Sequence, residues 1–302
     1  MPVTHSVPKN PFGFDADFLR RLERLSVINR RPVGGALAGP RRSRQHGSSV
    51  EFADFRDYAP GDDLRRVDWN AYARLDRVFL RLYSAERMTT LTLIVDHSAS
   101  MHFGEPQKAL VAARLGAVLT YVSLGGFDRV AVLGVSGALG HYMEGRGGKA
   151  SIPAVWRHLE MLMCQRAGDT DFGALRRLSR YRRGPGMTIV LSDFMSDSDW
   201  QGGLRALRAQ GQEVAVVQVL APEEIEPSVR GDWTLRDAET HGILETSVTA
   251  RLLRRYQDEL TSHTEALRGF CIHSGVTFAR VRTDASLEHE VLRDLHGLGL
   301  LR

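Results

Sequence analysis

Short apolar runs alternate with amphipathic stretches along the chain from residue 91 onwards. The runs are rich in Val, Ile and Thr, which is typical of strands buried in a parallel sheet. They predict core strands at residues 91–95, 129–135, 187–192, 213–220 and 276–281. Apolar residues at helical spacing predict helices at residues 106–124, 152–163, 172–181, 204–210, 248–270 and 287–295. Because strands alternate with helices, we expect an α/β fold with a Rossmann-like, doubly wound and mainly parallel sheet.

The segment before residue 88 has a different pattern. Residues 1–18 contain three prolines and a glycine, which predicts a flexible tail. A short amphipathic helix is expected over residues 18–29 and a strand over residues 78–83. We therefore divide the chain into a tail, an N-terminal extension at residues 19–87 and the α/β domain at residues 88–302.

The composition is that of an ordinary folded protein, with 43% hydrophobic and 25% charged residues in a chain of 302. No apolar run approaches the ~20 residues that span a bilayer. The first residues lack the apolar core of a signal peptide. We therefore expect a cytoplasmic protein without a membrane span. Cys164 and Cys271 lie far apart in the sequence and are expected to be reduced.

Positive charge is concentrated in the N-terminal part. The formal net charge is +4, and residues 1–87 hold 16 Lys and Arg against 11 Asp and Glu. Almost all of the basic residues are arginines, since Lys9, Lys108 and Lys149 are the only lysines. Arginine suits phosphate and carboxylate partners, so nucleic-acid binding through this part is an alternative function. Nucleic acid is nevertheless disfavoured, because the charge excess is small and no RRM, zinc-finger or helix-turn-helix signature accompanies it.

Candidate chemistry begins where the first core strand ends. That strand runs into an Asp-x-Ser-x-Ser sequence, which presents a carboxylate and two hydroxyls at alternate positions. A threonine lies in a turn-rich loop before a predicted helix, and a second aspartate ends another core strand. Parallel strands bring their carboxyl ends to one edge of the sheet, where ligands collect. Oxygen ligands of this kind suit Mg²⁺. The predicted metal ligands are Asp96, Ser98, Ser100, Thr170 and Asp193.

A second cluster mixes acidic, basic and aromatic residues between Tyr58 and Arg74. Such mixtures are typical of half-buried ion pairs under aromatic rings. We predict that Asp68 pairs with Arg65 or Arg74 while Trp69 packs on the sheet or on a covering helix. The alternative is a surface loop with solvated charges.

The five oxygen-bearing positions resemble the metal-ion-dependent adhesion site of von Willebrand factor A domains. In those domains the serines and the threonine hold Mg²⁺ or Mn²⁺ directly or through water, and the aspartates bind mainly through water. A carboxylate of the partner protein then completes the coordination. The resemblance implies a von Willebrand factor A-like domain at residues 88–302 with the same ligand set.

About residues 40–302, the von Willebrand factor A-like part included, resemble the DUF58 family. Its hallmark is similar to Tyr-Ala-Pro-Gly-Asp-Asp-Leu-Arg-Arg-Val-Asp-Trp at residues 58–69, and residues 237–242 and 275–284 resemble its C-terminal half. The extension would then be specific to this family. Members typically lie beside MoxR-type AAA+ ATPases, which implies a cytoplasmic adaptor or co-factor of such an ATPase or its client. Many members carry two membrane helices, so this chain resembles the soluble group.

The expected function is thus a non-catalytic, metal-dependent protein-protein interaction module, with no catalytic residue assigned. A metal-dependent hydrolase of phosphate esters is the alternative from another class. Asp169, Asp171 and Asp197 offer the additional carboxylates that such an enzyme needs. His97 and His102 flank the candidate site, where a packing or supporting role is expected.

Overall fold

A six-stranded sheet underlies the larger of two compact units. The computed structural model describes residues 10–25, 27, 50–58, 67–75, 77–85, 90–126, 128–165, 168, 170–180, 186–238, 241–287 and 296. The strands are β1 (Val50–Asp57), β2 (Phe79–Ala85), β3 (Thr90–Asp96), β4 (Arg129–Ser136), β5 (Ala138–Gly147), β6 (Gly186–Ser192), β7 (Gln212–Leu220), β8 (Gly231–Arg236), β9 (Ile243–Val248) and β10 (Thr277–Arg282). The helices are α1 (Ala16–Leu22), α2 (Trp69–Leu75), α3 (Lys108–Gly125), α4 (Ile152–Cys164), α5 (Trp200–Ala209), α6 (Pro222–Ile225) and α7 (Ala250–His273). Short 3₁₀ helices lie at Ala99–His102, Lys149–Ser151 and Phe172–Arg180.

The sheet has the strand order β10-β7-β6-β3-β4-β5. Neighbouring strands are parallel except for β5, which runs antiparallel to β4 at one edge. All five core strands predicted from the apolar runs are present in this sheet. The mainly parallel, doubly wound α/β fold is therefore confirmed. β8 and β9 form a separate antiparallel ribbon.

Successive residues of a strand face two separate cores on opposite sides of the sheet. In β3, Leu93 and Val95 belong to one core, whereas Ile94 belongs to the other. Helices α1, α3 and α4 contribute to the first core, and α5 and α7 contribute to the second. Helices thus cover both faces, which explains why the strands are almost continuously apolar.

Helix α3 is apolar on nearly all sides. By length and composition it is the one helix among the described residues that is suited to cross a membrane. However, 78% of this 18-residue stretch is buried inside the fold. A helix at the centre of a protein core has the same composition as a membrane span. In this protein α3 packs on the sheet and on α4, where the indole of Trp156 donates a hydrogen bond of 3.0 Å to the Ala117 carbonyl.

The N-terminal residues differ from the prediction of a flexible tail. Residues 1–9 lie outside the described part of the chain, but Phe12 and Phe14 are buried. Their ring centroids lie 6.0 and 5.8 Å from that of Trp156 on α4. The proline content suggested a tail, but the two aromatic rings bury enough apolar surface to fix this segment against the core. The larger unit accordingly comprises Met1–Gly34 and Thr89–Arg302, whereas the extension was predicted to begin at residue 19.

The smaller unit, Gly35–Met88, contains the antiparallel pair β1–β2 and helix α2. Asp68 is buried, and its carboxylate accepts a hydrogen bond of 3.1 Å from the Ala71 amide at the start of α2. Trp69, the first residue of α2, is 61% exposed, and its ring contacts that of Tyr72. The prediction that Trp69 is buried is therefore wrong, because Asp68 begins a helix and that helix directs Trp69 to solvent. Arg65 lies outside the described residues.

The aromatic anchor of the N-terminal segment is testable by substitution. We expect Phe14→Ala to lower the free energy of unfolding by about 3 kcal/mol, because the ring is 8% exposed and the variant leaves a cavity beside Trp156. Urea unfolding followed by tryptophan fluorescence measures the change. Ile272→Ala is the control, since that side chain is 62% exposed and should change stability by less than about 0.5 kcal/mol. Equal unfolding midpoints for the two variants would show that the segment is a tail after all.

Candidate functional site

The candidate site lies where the strand order reverses. From β3 the chain passes to β4 and β5 on one side and later returns to β6, β7 and β10 on the other. Such a switch point leaves a crevice at the carboxyl ends of the two central strands. Asp96 is the last residue of β3, and Asp193 directly follows β6. The two predicted aspartates are therefore brought to the same edge by the parallel pairing of β3 with β6.

The Asp96 carboxylate is buried and accepts hydrogen bonds from three separate segments. Its Oδ1 accepts one of 2.9 Å from the Ser98 amide and one of 2.8 Å from the Thr170 hydroxyl. Its Oδ2 accepts one of 2.6 Å from the Ser192 hydroxyl. Asp96, Ser98 and Thr170 are each no more than 2% exposed. The structure thus joins these three predicted residues around one carboxylate.

The two serines of the Asp-x-Ser-x-Ser sequence also meet. The hydroxyl oxygens of Ser98 and Ser100 lie 3.1 Å apart. Ser98 begins the 3₁₀ helix Ala99–His102, and this tight turn brings the two alternate side chains to the same side. Four of the five residues predicted to supply oxygen ligands to a metal ion are therefore linked by hydrogen bonds.

The loop after β6 is held in a fixed conformation. Phe194 has a φ of 57°, which is unusual for a residue with a side chain. Its carbonyl accepts a hydrogen bond of 2.7 Å from His263 on α7, and its ring stacks on that of Phe172. Ser196 donates a hydrogen bond of 2.7 Å to the Thr170 carbonyl. These contacts fix the Thr170 loop and the Asp193 loop against each other.

The fifth predicted residue, Asp193, is bound to a lysine. Its Oδ2 accepts a hydrogen bond of 2.7 Å from the Lys108 ammonium, and its Oδ1 accepts one of 3.1 Å from the Met195 amide. Its backbone carbonyl accepts a hydrogen bond of 3.1 Å from Gln218. The same ammonium donates to a carboxylate oxygen of Glu224 on α6. Asp193 is thus part of a buried ion-pair cluster.

Burial raises the pKa of Asp96 to about 6, and the negative charge of Asp193 adds to this effect. The hydrogen bonds from Ser192 and Ser98 act in the opposite direction, because they stabilise the charged carboxylate. Asp96 ends β3 and Asp193 follows the neighbouring strand β6, so the two carboxylates belong to adjacent strand ends. Two carboxylates repel each other, and a cation placed between them would be attracted by both.

The donor set fits a hard divalent cation. Asp96, Ser98, Ser100 and Thr170 supply only oxygen atoms, and their mutual contacts place them in one buried cluster. No group of three or more His, Cys, Asp and Glu side chains in the described part of the chain is placed to share a metal ion. A metal site here would therefore depend on the hydroxyl oxygens. Asp193 is less available as a ligand of a metal ion, because its carboxylate already binds the Lys108 ammonium.

Sequence reasoning did not identify three residues of this cluster. The signal for Ser192 was its position beside Asp193 at the end of a predicted strand. In the structure, Val95 pairs with Leu191, and this pairing puts Ser192 next to Asp96. No local sequence pattern marks Lys108 and Glu224 as part of the site, because they belong to helices that follow different strands. The structure alone shows that they converge on Asp193.

His97 and His102 flank the site without sharing its contacts. His97 is 3% exposed, and neither of its ring nitrogens has a hydrogen-bond partner among the described residues. Its ring fills the space beside Gly134, where a Cβ atom would lie 2.9 Å from the imidazole. Burial lowers the pKa of His97, and nearby His141 and His102 add to this. His102 contacts the Gln165 carbonyl at 3.0 Å. The packing role expected for His97 agrees with this arrangement.

The raised pKa of Asp96 predicts a pH dependence of stability in chelator-treated protein. The folded state keeps a proton up to about pH 6, whereas the unfolded chain releases it near 3.8. The favourable contribution is therefore complete below about pH 4 and is lost as the pH rises through about 6, by roughly 2–3 kcal/mol. Urea unfolding from pH 4 to pH 7.5 measures it as the difference between wild type and Asp96→Asn. Asp232→Asn, at an exposed carboxylate, should follow wild type. Parallel pH profiles for wild type and Asp96→Asn would contradict the prediction.

Comparison with known proteins gives relatives without an assigned activity. The uncharacterized protein Rv1480 of Mycobacterium tuberculosis (strain ATCC 25618 / H37Rv) is 29% identical over 286 residues, covering 92% of this chain and 89% of its own length. The uncharacterized protein Mb1516 of Mycobacterium bovis matches to the same extent. The uncharacterized protein MAV169 of Mycobacterium avium is 32% identical over 124 residues, 41% of this chain and 71% of that protein.

Solved structures with a similar fold include the conserved hypothetical protein BatB from Bacteroides thetaiotaomicron. It is 15% identical, with a TM-score of 0.43 over 70% of this chain and 98% of that chain. The SpRpn10 VWA domain is 9% identical, with a TM-score of 0.37 over 69% of this chain and 95% of that domain. The fold assignment itself rests on the strand order described above.

The family match is extensive. Residues 54–266 match the family described as "Protein of unknown function DUF58". This range includes the whole Tyr58–Arg74 cluster and every predicted metal ligand. The chain therefore belongs to the DUF58 family, as its sequence motifs predict.

Proposed function

We propose that this protein is a non-catalytic interaction module that captures an acidic group of a partner protein through a bound Mg²⁺ or Mn²⁺ ion. The observation that carries the proposal is the contact of 2.8 Å between the Thr170 hydroxyl and the Asp96 carboxylate, in a cluster that also contains Ser98 and Ser100. Residues from two distant loops meet there at the switch point of the sheet. That edge is where α/β proteins bind their ligands.

The proposed chemistry follows from the types of donor atom. Ser98, Ser100 and Thr170 would hold the ion through neutral hydroxyl oxygens, and Asp96 would supply the nearest negative charge. Hydroxyl ligands neutralise less of the ion's charge than carboxylates do, so the bound ion would remain attractive to one more anion. In this proposal that anion is an Asp or Glu side chain of the partner. The serine pair and the Thr170 loop act by fixing the position of the ion.

Membership of the DUF58 family supports the choice of partner. The proposal includes a MoxR-type AAA+ ATPase, or its client, as the protein that is captured, and places the encounter in the cytoplasm. Capture by a single carboxylate suits a transient adaptor, because one metal-bridged contact provides specificity without requiring a large interface.

The two alternatives have less support. Asp171, one of the carboxylates considered for a hydrolase, accepts a hydrogen bond of 2.9 Å from the Gly173 amide and stabilises its own turn. Asp169 lies outside the described residues. For the arginine-rich N-terminal part, no observation in the described residues favours nucleic acid over solvated ion pairs.

Asp96→Ala tests the proposal directly. We expect it to abolish Mg²⁺ binding, measured by isothermal titration calorimetry, because it removes the carboxylate that organises the cluster. The variant should also lose the partner in affinity capture from a lysate, read by mass spectrometry with and without EDTA. Circular dichroism should show that the fold persists.

Asp232→Ala is the matched control for that experiment. Asp232 is an exposed aspartate on β8, outside the six-stranded sheet. It should retain both the calorimetric signal and the EDTA-sensitive partner. Capture of the same partner by wild type and Asp96→Ala, with or without EDTA, would exclude a metal-bridged contact.

A further inference from the structure

Lys108 is a buried cation at the edge of the candidate site. It is the first residue of α3, and its side chain is 1% exposed. Its ammonium lies 2.7 Å from Oδ2 of Asp193 and also contacts Glu224. Arginine supplies nearly all the positive charge of this chain, and Lys108 is one of only three lysines among 40 basic residues. An ammonium is a compact point charge and in this respect is closer to a metal ion than a planar guanidinium is.

Two carboxylates from separate parts of the fold hold the Lys108 ammonium. Asp193 directly follows β6, and Glu224 belongs to α6. Glu224 is itself fixed, because its other carboxylate oxygen accepts a hydrogen bond of 2.9 Å from the Ala221 amide. The ammonium is therefore held in place beside Asp193.

Asp193 has both carboxylate oxygens engaged. Lys108 donates to one, and the Met195 amide donates to the other at 3.1 Å. Asp193 is nevertheless one of the five residues that the sequence assigns to the metal ion. A cation held by Asp96 and the hydroxyl cluster would approach an aspartate that already binds the Lys108 ammonium.

We propose that Lys108 is a built-in competitor of the divalent cation for Asp193 and thereby sets how weakly the site holds its metal. The inference rests on the proposed function, since it presupposes that the hydroxyl cluster binds the ion. Two cations close to the same carboxylate repel each other, and this repulsion lowers metal affinity. A partner's carboxylate would add a negative charge that offsets the repulsion between the metal ion and the Lys108 ammonium. Metal and partner therefore strengthen each other's binding, and by linkage the effect is reciprocal.

The decisive variant removes the ammonium without changing the net charge of the cluster. Lys108→Met alone would leave two carboxylates, the buried Asp193 and the partly exposed Glu224, without their cation, which endangers folding. The double variant K108M/E224Q removes one positive and one negative charge, and the glutamine carbonyl can still accept the Ala221 amide. Net charge near the site is unchanged, so an altered affinity reports on competition for Asp193.

Mn²⁺ alone is the probe, and electron paramagnetic resonance of the free ion measures its dissociation constant. We expect K108M/E224Q to bind Mn²⁺ about tenfold more tightly than wild type. K149M/E23Q is the matched control, because it removes a lysine–glutamate pair of 2.9 Å that is exposed and lies elsewhere. It should bind Mn²⁺ as wild type does, and Asp96→Ala should bind none.

A second measurement uses unmodified protein and does not depend on a variant folding. With only three lysines, ¹⁵N labelling of the side chains gives few ammonium signals in NMR. Saturating Mg²⁺ should shift the Lys108 signal and leave the Lys149 signal in place.

The outcomes separate the two proposals. If wild type binds Mn²⁺ and Asp96→Ala does not, while K108M/E224Q binds no more tightly, the role of Lys108 is wrong and the metal site stands. A Lys108 signal that stays unmoved at saturating Mg²⁺ would equally overturn the role of Lys108. If neither wild type nor K108M/E224Q binds Mn²⁺, the metal site and the competition both fail.

Discussion

The burial of one carboxylate constrains the rest of the site. Asp96 is 2% exposed, and a buried charge is tolerated only where hydrogen bonds or counter-charges compensate it. Three donors from separate parts of the chain, Ser98, Thr170 and Ser192, supply that compensation. The position of each loop follows from this requirement, because moving any of them would leave the carboxylate or a hydroxyl without a partner.

Much of this arrangement could be predicted from local patterns. The strands β3 and β6 are buried on both faces, so they are continuously apolar and their ends are marked by polar residues. Because parallel strands end at one edge, Asp96 and Asp193 were predicted to lie at the same edge of the sheet. Thr170 was a weaker prediction, since its only local signal was a turn-rich loop before a predicted helix. The contact of its hydroxyl with Asp96 brings that loop to the same edge.

The remaining features depend on contacts that no local pattern encodes. A lysine at the start of a helix is normally exposed, and Lys108 is buried only because Asp193 and Glu224, 85 and 116 positions away, surround it. Phe12 and Phe14 lie in a proline-containing segment, and the prolines led to the prediction of a tail in place of core residues. Trp69 was predicted to pack on the sheet or on a covering helix, because closely spaced charged and aromatic residues are typically half-buried. Instead α2 begins beside Asp68, and Trp69 is exposed. In each case a distant or backbone contact outweighed the preference of the residue type.

Two of the three donors to Asp96, the hydroxyls of Thr170 and Ser192, are separated from it by 74 and 96 positions in the sequence. A polypeptide that ends between them, whether cleaved by a protease or still emerging from the ribosome, has only part of the oxygen cluster. The cluster is complete only when β6 has docked beside β3, which is a long-range event and hence a late one in folding. The complete cluster is therefore a property of the finished fold, because a chain without β6 lacks the Ser192 hydroxyl that donates to Asp96.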